Sequence, residues 1–333
     1  MDLAHLRPEV RGLALLPSAE RLALVPAHRW IGYTRAGQAL ARLEAMLARE
    51  PGRVRPRCLL IIGPSNNGKT AIAERFERAH PRHSSADGEH EVIPVLLVQV
   101  PPSPTLNRLY AAILAALGVP GALHGCSPDR EGAALRLLRQ VGCRMLVLDE
   151  LHNLLAAPAQ RQRELLNLLR YLGNELRVPL ACLGTREAYL AIRSDDQLEN
   201  RFEPFLLPPW EDGLEFSRLL ASFEAVLPLR EPSSLGAPAM RAHVLRRSEG
   251  TIGEVAALLA AAAGRCTRSP ASGKVWRTTP VASRRRMASA TTCSFIVPLA
   301  DVAAGRGTWT RLRTRCSHAC RREPACRSSG CGE

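Results

Sequence analysis

Four short apolar runs punctuate the chain between residues 58 and 183. They are Cys58-Leu59-Leu60-Ile61-Ile62, Val92 to Val100, Met145-Leu146-Val147-Leu148 and Pro179-Leu180-Ala181-Cys182-Leu183. Each is too short for a buried helix and too continuously apolar for a strand with one wet face, so strands covered on both sides are predicted. Between them the spacing turns helical. Thr70 to Phe76 opens a helix, and Thr105 caps another whose stripe is Leu106, Leu109, Tyr110, Ile113, Leu114 and Leu117, closed by Gly118. A loop over 119–129, a helix over 130–141 and a helix from Arg161 to Leu172 complete the alternation. Strand and helix in this rhythm predict an α/β fold, a parallel sheet with helices on both faces.

The flanks read differently. Residues 1–29 are broken by proline and arginine and predict an N-terminal arm or loose helical lead, after which Trp30-Ile31-Gly32-Tyr33-Thr34 leads into a helix striped by Leu40, Leu43, Met46 and Leu47. His80 to Glu91 is polar, and Pro101-Pro102-Ser103-Pro104 stops any regular structure. Past Trp210 no strand pattern remains. Helices over 214–226 and 238–247, and one opened by Thr251 with Glu254 as a capping box, predict a small helical lid over 211–263 behind an α/β domain over 30–210.

Chemistry enters with Gly63-Pro64-Ser65-Asn66-Asn67-Gly68-Lys69-Thr70, which joins the first apolar run to the helix after it. A strand, a glycine-rich loop and a helix N-terminus aim successive backbone N–H groups into one concavity, which holds a polyphosphate. Lys69 is expected to reach the β- and γ-phosphates of ATP and Thr70 to ligate Mg²⁺. Hydrolysis needs a second station. Asp149 and Glu150 close the third run, where ligands gather in open parallel sheets. Asp149 is expected to hold Mg²⁺ through water and Glu150 to polarise the attacking water. Thr185, in Gly184-Thr185-Arg186, is placed to orient water or the γ-phosphate. Arg201, in Leu198-Glu199-Asn200-Arg201-Phe202, is the candidate for neutralising phosphoryl charge from a neighbouring subunit, with Arg186 and Arg193 as competitors.

Composition narrows the class. The 333 residues carry a net charge of +14, but from Gly264 onward thirteen arginines and one lysine face only Asp301, Glu323 and Glu333, so residues 1–263 are nearly neutral. Duplex DNA, if bound, must be met by a local patch. The first residues lack a basic start followed by an apolar stretch and no run is long enough to cross a bilayer, so a cytoplasmic protein without a membrane partner is expected. Cys58, Cys126, Cys143 and Cys182 read as buried small hydrophobes. The tail over 264–333 lacks sustained periodicity and is expected to be disordered. Arginine outnumbers lysine 43 to 2, the mark of coding DNA rich in G and C, and out-of-frame reading of such DNA gives this composition. A frameshift near Ala263 or Gly264 is therefore the hypothesis for the tail, and an uninterrupted frame in close relatives would refute it. Cys316, His318, Cys320, Cys326 and Cys331 lack the tight C-x-x-C knuckle of a zinc site.

The phosphate loop, Leu146 to Leu154, Leu183-Gly184-Thr185-Arg186-Glu187 and Gln197 to Phe202 together resemble the TniB family of AAA+ transposition ATPases, relatives of the TnsC-type regulators, over roughly Trp30 to Ala263. The resemblance implies an ATP-dependent regulator that forms a homo-oligomer on target DNA without sequence specificity and recruits a DDE-type transposase beside an accessory target-selection protein. It implies that Lys69 and Thr70 are the Walker A pair, Asp149 and Glu150 the Walker B pair, Thr185 the sensor-1 position and Arg201 the finger acting in trans. It also points to DNA-backbone contacts from Pro101 to Asn107 and Val119 to Arg130, with Ser103, Thr105, Asn107 and Arg108 as donors. Gly250-Thr251-Ile252-Gly253-Glu254 lacks the arginine many AAA+ lids carry, leaving that role to Arg246 or Arg247. A helicase-loader-like ATPase and a nucleotide-dependent switch that ignores DNA are the alternatives.

Overall fold

The apolar runs become strands because both of their faces are covered. In the computed structural model, which describes residues 2–25, 29–119 and 127–268, alternate side chains of each run enter two different cores. Cys58, Leu60 and Ile62 join Leu146, Leu148 and Cys182 on one side, while Leu59 and Ile61 join Val147, Ala181 and Leu183 on the other. Each fully buried Leu or Ile contributes roughly 1.5–3 kcal/mol, so a one-residue slip would forfeit both cores at once. All described residues fall in one unit, Met1–Thr279.

In chain order, α1 (Pro8–Leu15), α2 (Ser18–Leu24) and α3 (Thr34–Arg49) precede β1 (Cys58–Ile62) and α4 (Lys69–Ala79). A two-stranded hairpin of β2 (His83–Ser84) and β3 (Glu91–Val92) follows, then β4 (Val95–Gln99), α5 (Leu106–Ala116), α6 (Ser127–Gln140) and β5 (Met145–Asp149). A 3₁₀ turn over Leu151–Ala156 leads to α7 (Ala159–Leu176), β6 (Leu180–Gly184), α8 (Arg186–Arg193), α9 (Asp196–Glu199) and β7 (Phe202–Leu206). Last come α10 (Leu214–Glu224), α11 (Pro238–Ser248) and α12 (Ile252–Arg268). The main sheet has five strands in the order β4-β5-β6-β1-β7, all parallel. Helices α3 and α4 cover one face and α5 to α9 the other, the expected α/β architecture.

Several elements differ from expectation. The run from Val92 to Val100 is not one strand: Pro94 has no N–H for the ladder, and the parallel pairing begins at Val95. The polar stretch over 80–91 supplies the hairpin, and α6 starts at Ser127 rather than 130. A fifth strand, β7, pairs with the whole of β1, Cys58 opposite Phe202 through Ile62 opposite Leu206. It is an edge strand, where Pro204 is tolerated and only Phe202 and Phe205, one on each face, pack on the cores. The capping box at α12 does not form. Thr251 gives its hydroxyl to the Ser248 carbonyl at 3.3 Å, and Glu254 turns to the phosphate loop instead.

The first 25 residues pack on the lid. Arg7 N–H donates to the Ala225 carbonyl at 2.9 Å, the buried Arg21 guanidinium to the Pro228 carbonyl at 3.3 Å, and Val25 enters the core formed by Phe216, Leu220, Val244 and Leu259. Helix α12 passes Ala263 and continues to Arg268, with Thr267 buried and its hydroxyl on the Ala263 carbonyl at 3.2 Å. The rest of the expected tail, with its proposed frameshift and its Cys and His cluster, lies outside the described residues, as does Cys126. Cys58 and Cys182 are buried and unpaired, Cys143 nearly so. No helix among the described residues is long and apolar enough to cross a membrane.

Candidate functional site

Parallel strands deliver their carboxyl ends to one rim, and three of them deliver the expected residues. β1 ends at the loop over 63–70, β5 ends at Asp149, and β6, which lies between them, ends at Gly184 and Thr185. The loop's shape depends on its glycines. A Cβ on Gly63 would stand 2.8 Å from the Leu207 carbonyl oxygen, and Gly68 has a φ of +80°. No described acceptor takes the backbone N–H groups of Ser65, Asn66, Asn67, Gly68 or Lys69, which leaves them open to solvent or a ligand.

Lys69 is buried and donates to the Gly63 and Pro64 carbonyls at 3.0 and 2.8 Å. Burial pushes its ammonium below the ordinary lysine range, and the nearby Glu150 and Asp149 carboxylates oppose that shift. The Thr70 hydroxyl donates to Asp149 Oδ2 at 2.6 Å, while Asp149 Oδ1 accepts the Glu150 backbone N–H at 2.8 Å. Because the Thr70 hydroxyl spends its hydrogen on the bond to Asp149, the lone pairs of Thr70 Oγ1 remain for a cation. That donor set fits Mg²⁺, which keeps most of its shell as water and phosphate oxygen. Among the described residues no cluster of three or more His, Cys, Asp or Glu side chains offers a dedicated metal cage.

Glu150 occupies left-handed backbone, φ +58°, which costs a non-glycine residue about 1 kcal/mol or more. Its Oε2 lies 3.1 Å from His152 Nε2. Sequence reasoning missed His152, although its place two residues beyond Glu150 was visible. Its Nδ1 is buried with no partner among the described residues. Thr185 hydrogen-bonds the Glu187 carboxylate, lowering the pKa of that exposed acid.

The loop is also tied to the lid. Asn67 donates from Nδ2 to the Leu207 and Pro208 carbonyls at 3.0 and 3.1 Å and accepts Ile252 N–H at 3.4 Å. Asn66 accepts Gly253 N–H on its backbone oxygen at 2.9 Å and donates to Glu254 Oε1 at 3.0 Å. Both asparagine side chains, expected only as part of the phosphate grip, thus hold α12 down. Arg246 and Arg247 lie in the last turn of α11. A cleft of about 640 Å³ borders the loop at Asn67, lined by Tyr33, Pro208, Trp210 and Phe216, with the Tyr33 and Trp210 rings edge to face at 5.1 Å.

Arg201 is not brought to this rim. It immediately precedes β7, which runs parallel to β1, so it lies at the opposite end of the sheet, roughly 17 Å from its own loop for a five-residue strand. Its Nη2 donates to Asn174 Oδ1 at 2.8 Å. Of its competitors, Arg193 is tied by Nε to Glu199 Oε1 at 2.6 Å, and Arg186 is exposed at the start of α8. In the segment after β4, Thr105 caps α5 by accepting Arg108 N–H at 3.2 Å, and Asn107 accepts from the buried Arg130 at 2.6 Å. Ser103 and Arg108 are exposed, the arginine donating to the Pro102 and Ser103 carbonyls at 2.8 and 2.9 Å. Residues 120–126 of the second expected DNA loop lie outside the described residues.

A five-stranded parallel sheet in this order, with a phosphate loop after one strand, an Asp-Glu pair at the tip of another and a helical lid tied to the loop, defines a P-loop ATPase fold of the AAA+ class. Comparison with solved structures agrees. The chain is similar to Aeropyrum pernix ORC1 in a complex with DNA (20% identity, TM-score 0.56, 76% of this chain and 66% of that one). It is also similar to Aeropyrum pernix ORC2 in ADPNP-ADP complexes (19% identity, TM-score 0.53, 74% and 67%). A Walker-type ATPase of Pyrococcus abyssi matches at 15% identity and TM-score 0.50, over 73% of this chain and 71% of that one. The chain thus spans a little under two thirds of the ORC1 chain, and these likenesses speak to fold. No curated protein matches by sequence. Residues 21–212 match the family described as Bacterial TniB protein, and the chain belongs to that family.

Proposed function

We propose that this chain is an ATP-dependent regulator of transposition that assembles as a homo-oligomer on duplex DNA, without sequence specificity, and recruits or activates a DDE-type transposase with the help of a target-selection protein. The observation that carries the nucleotide half is the 2.6 Å contact between Thr70 and Asp149, which joins the loop to the carboxylate station of β5. Family membership over residues 21–212 supports the transposition half.

In this reading the free N–H groups of Ser65 to Lys69 cradle the phosphates, and Lys69 exchanges its carbonyl partners for phosphate oxygens. The nucleoside lies in the cleft against Tyr33 and Trp210. Mg²⁺, when bound, would supply positive charge to the phosphate oxygens. Thr70 would hold it directly and Asp149 through water. Glu150 polarises the attacking water, Thr185 orients it, and Arg201 acts on the site of the next copy. Ser103 and Arg108 are the exposed donors closest to a DNA backbone role.

The test is ATP turnover by the full chain with and without duplex DNA, paired with capture of a DDE-type transposase on that DNA. Turnover that rises with DNA, and transposase retained only with ATP and this chain present, are expected. Turnover indifferent to DNA, or transposase retained equally without the chain, would overturn the proposal.

A further inference from the structure

Two arginines on the face remote from the phosphate loop hold one another's elements in a reciprocal clasp. From α7, Arg170 donates through Nη1 to Gln197 Oε1 on α9 at 2.8 Å and through Nη2 to Asn167 Oδ1 at 2.7 Å. In the opposite sense, Arg201, just past α9, donates to Asn174 Oδ1 on α7 at 2.8 Å. Arg170 and Asn174 are four residues apart on one helix and so share a face. All three acceptors are neutral amides. Among the described residues neither guanidinium has a carboxylate partner, whereas the neighbouring Arg193 and Arg139 are paired with Glu199 and Glu175. An amide fixes where a guanidinium points without cancelling its charge, and most of the five N–H groups on each fork stay available.

Two fixed forks without a carboxylate partner, each spanning from one of α7 and the α9 turn to the other, suit a compact polyanion with oxygens to fill both. The chain's own nucleotide is excluded by the length of the sheet. An extended nucleic-acid backbone would run on past the pair toward Asp195 and Asp196 of the α9 turn, whereas a compact anion can stay on the two forks. We propose that Arg170 is a second arginine given in trans: with Arg201 it contacts the triphosphate held by the phosphate loop of an adjacent copy of this chain. The inference rests on the nucleotide site proposed above and adds to it a group outside the family-derived set.

The experiment uses the full chain at concentrations that assemble on duplex DNA. Arg170→Ala is expected to lower ATP turnover about tenfold or more, since an arginine at a transferring phosphoryl group carries at least that much. Its affinity for a fluorescent ATP analogue, measured on dilute chain, is expected to stay within twofold of the parent. Arg170→Lys, which keeps the charge but loses the fork, is expected to recover less than half of the lost rate and controls for folding. Adding the Glu150→Gln chain, whose own site is silent but whose arginines are intact, should restore turnover to Arg170→Ala sites, and the Glu150→Gln/Arg170→Ala double variant should not. Unimpaired turnover by Arg170→Ala, or absence of this rescue, overturns the inference. So does loss of duplex binding without nucleotide, which would assign Arg170 to DNA. A parent chain that binds no ATP overturns the function itself, and that result is read before any variant is made.

Discussion

At Lys69 one ammonium answers to two environments. Burial disfavours its charge, while Asp149 and Glu150 favour it, and the loop carbonyls hold it meanwhile. Removing it takes away the ammonium expected at the β- and γ-oxygens, so Lys69→Ala is expected to lose nucleotide binding in a fluorescent-ATP titration. Wild-type affinity would remove the loop from the account. Glu150→Gln should bind ATP normally yet turn over at least ~10²-fold more slowly, the scale of losing a positioned base. An unchanged rate in a phosphate-release assay would reassign that base. The cysteines make a third case. Burial pushes the Cys58 thiol to about 11 and Cys143 to about 12, and Cys182 well above its ordinary value. Because the thiol form is the one the fold favours, its stabilisation is intact below the unfolded value near 9 and is lost as pH climbs toward those raised values. Native chain at pH 8 should therefore leave Cys58, Cys143 and Cys182 unalkylated by iodoacetamide, as mass spectrometry would show.

Among the elements, legibility followed burial. Runs buried on two faces, β1, β5 and β6, were visible because nothing polar interrupts them, and the stripe of α3 survived intact, Leu43 and Leu47 buried with Leu40 and Met46 half-buried beside them. Strand β7 was not visible. Its Glu203 pairs with Arg42, its Pro204 lacks a donor, and its Phe205 lies under Arg35 at 4.8 Å, so an edge needs no continuous apolar code. The site was read as far as backbone motifs reach. Thr70 and Asp149 were expected near each other and are, but the use of Asn66, Asn67 and Glu254 to fasten α12 is a long-range matter that local spacing does not encode. Gly253 makes that fastening possible, for a Cβ there would fall 1.8 Å from Asn66 Oδ1. Gly253→Val is expected to dislodge the Asn66 side chain, cost about 1–3 kcal/mol in a thermal melt and weaken nucleotide binding. A variant as stable and as tight as the parent would show the contact to be incidental.

Over the whole molecule, the phosphate loop and Arg201 occupy opposite ends of one sheet. Arg201→Ala is accordingly expected to slow hydrolysis only in assemblies, and mixing it with Glu150→Gln chains should recover activity that neither shows alone. Failure to recover would return Arg201 to the surface. The cationic excess of the sequence does not bear on this, since most of it lies after Gly264 and the described part is nearly neutral.

Under the proposed trans role of Arg201, the loop and the arginine stand at opposite ends of one sheet, so copies following one another head to tail would each receive an arginine from the next. A stack that does not close on itself would then end in an idle arginine at one tip and an unassisted triphosphate at the other, so the two tips would differ chemically and growth and shedding of subunits would acquire a direction.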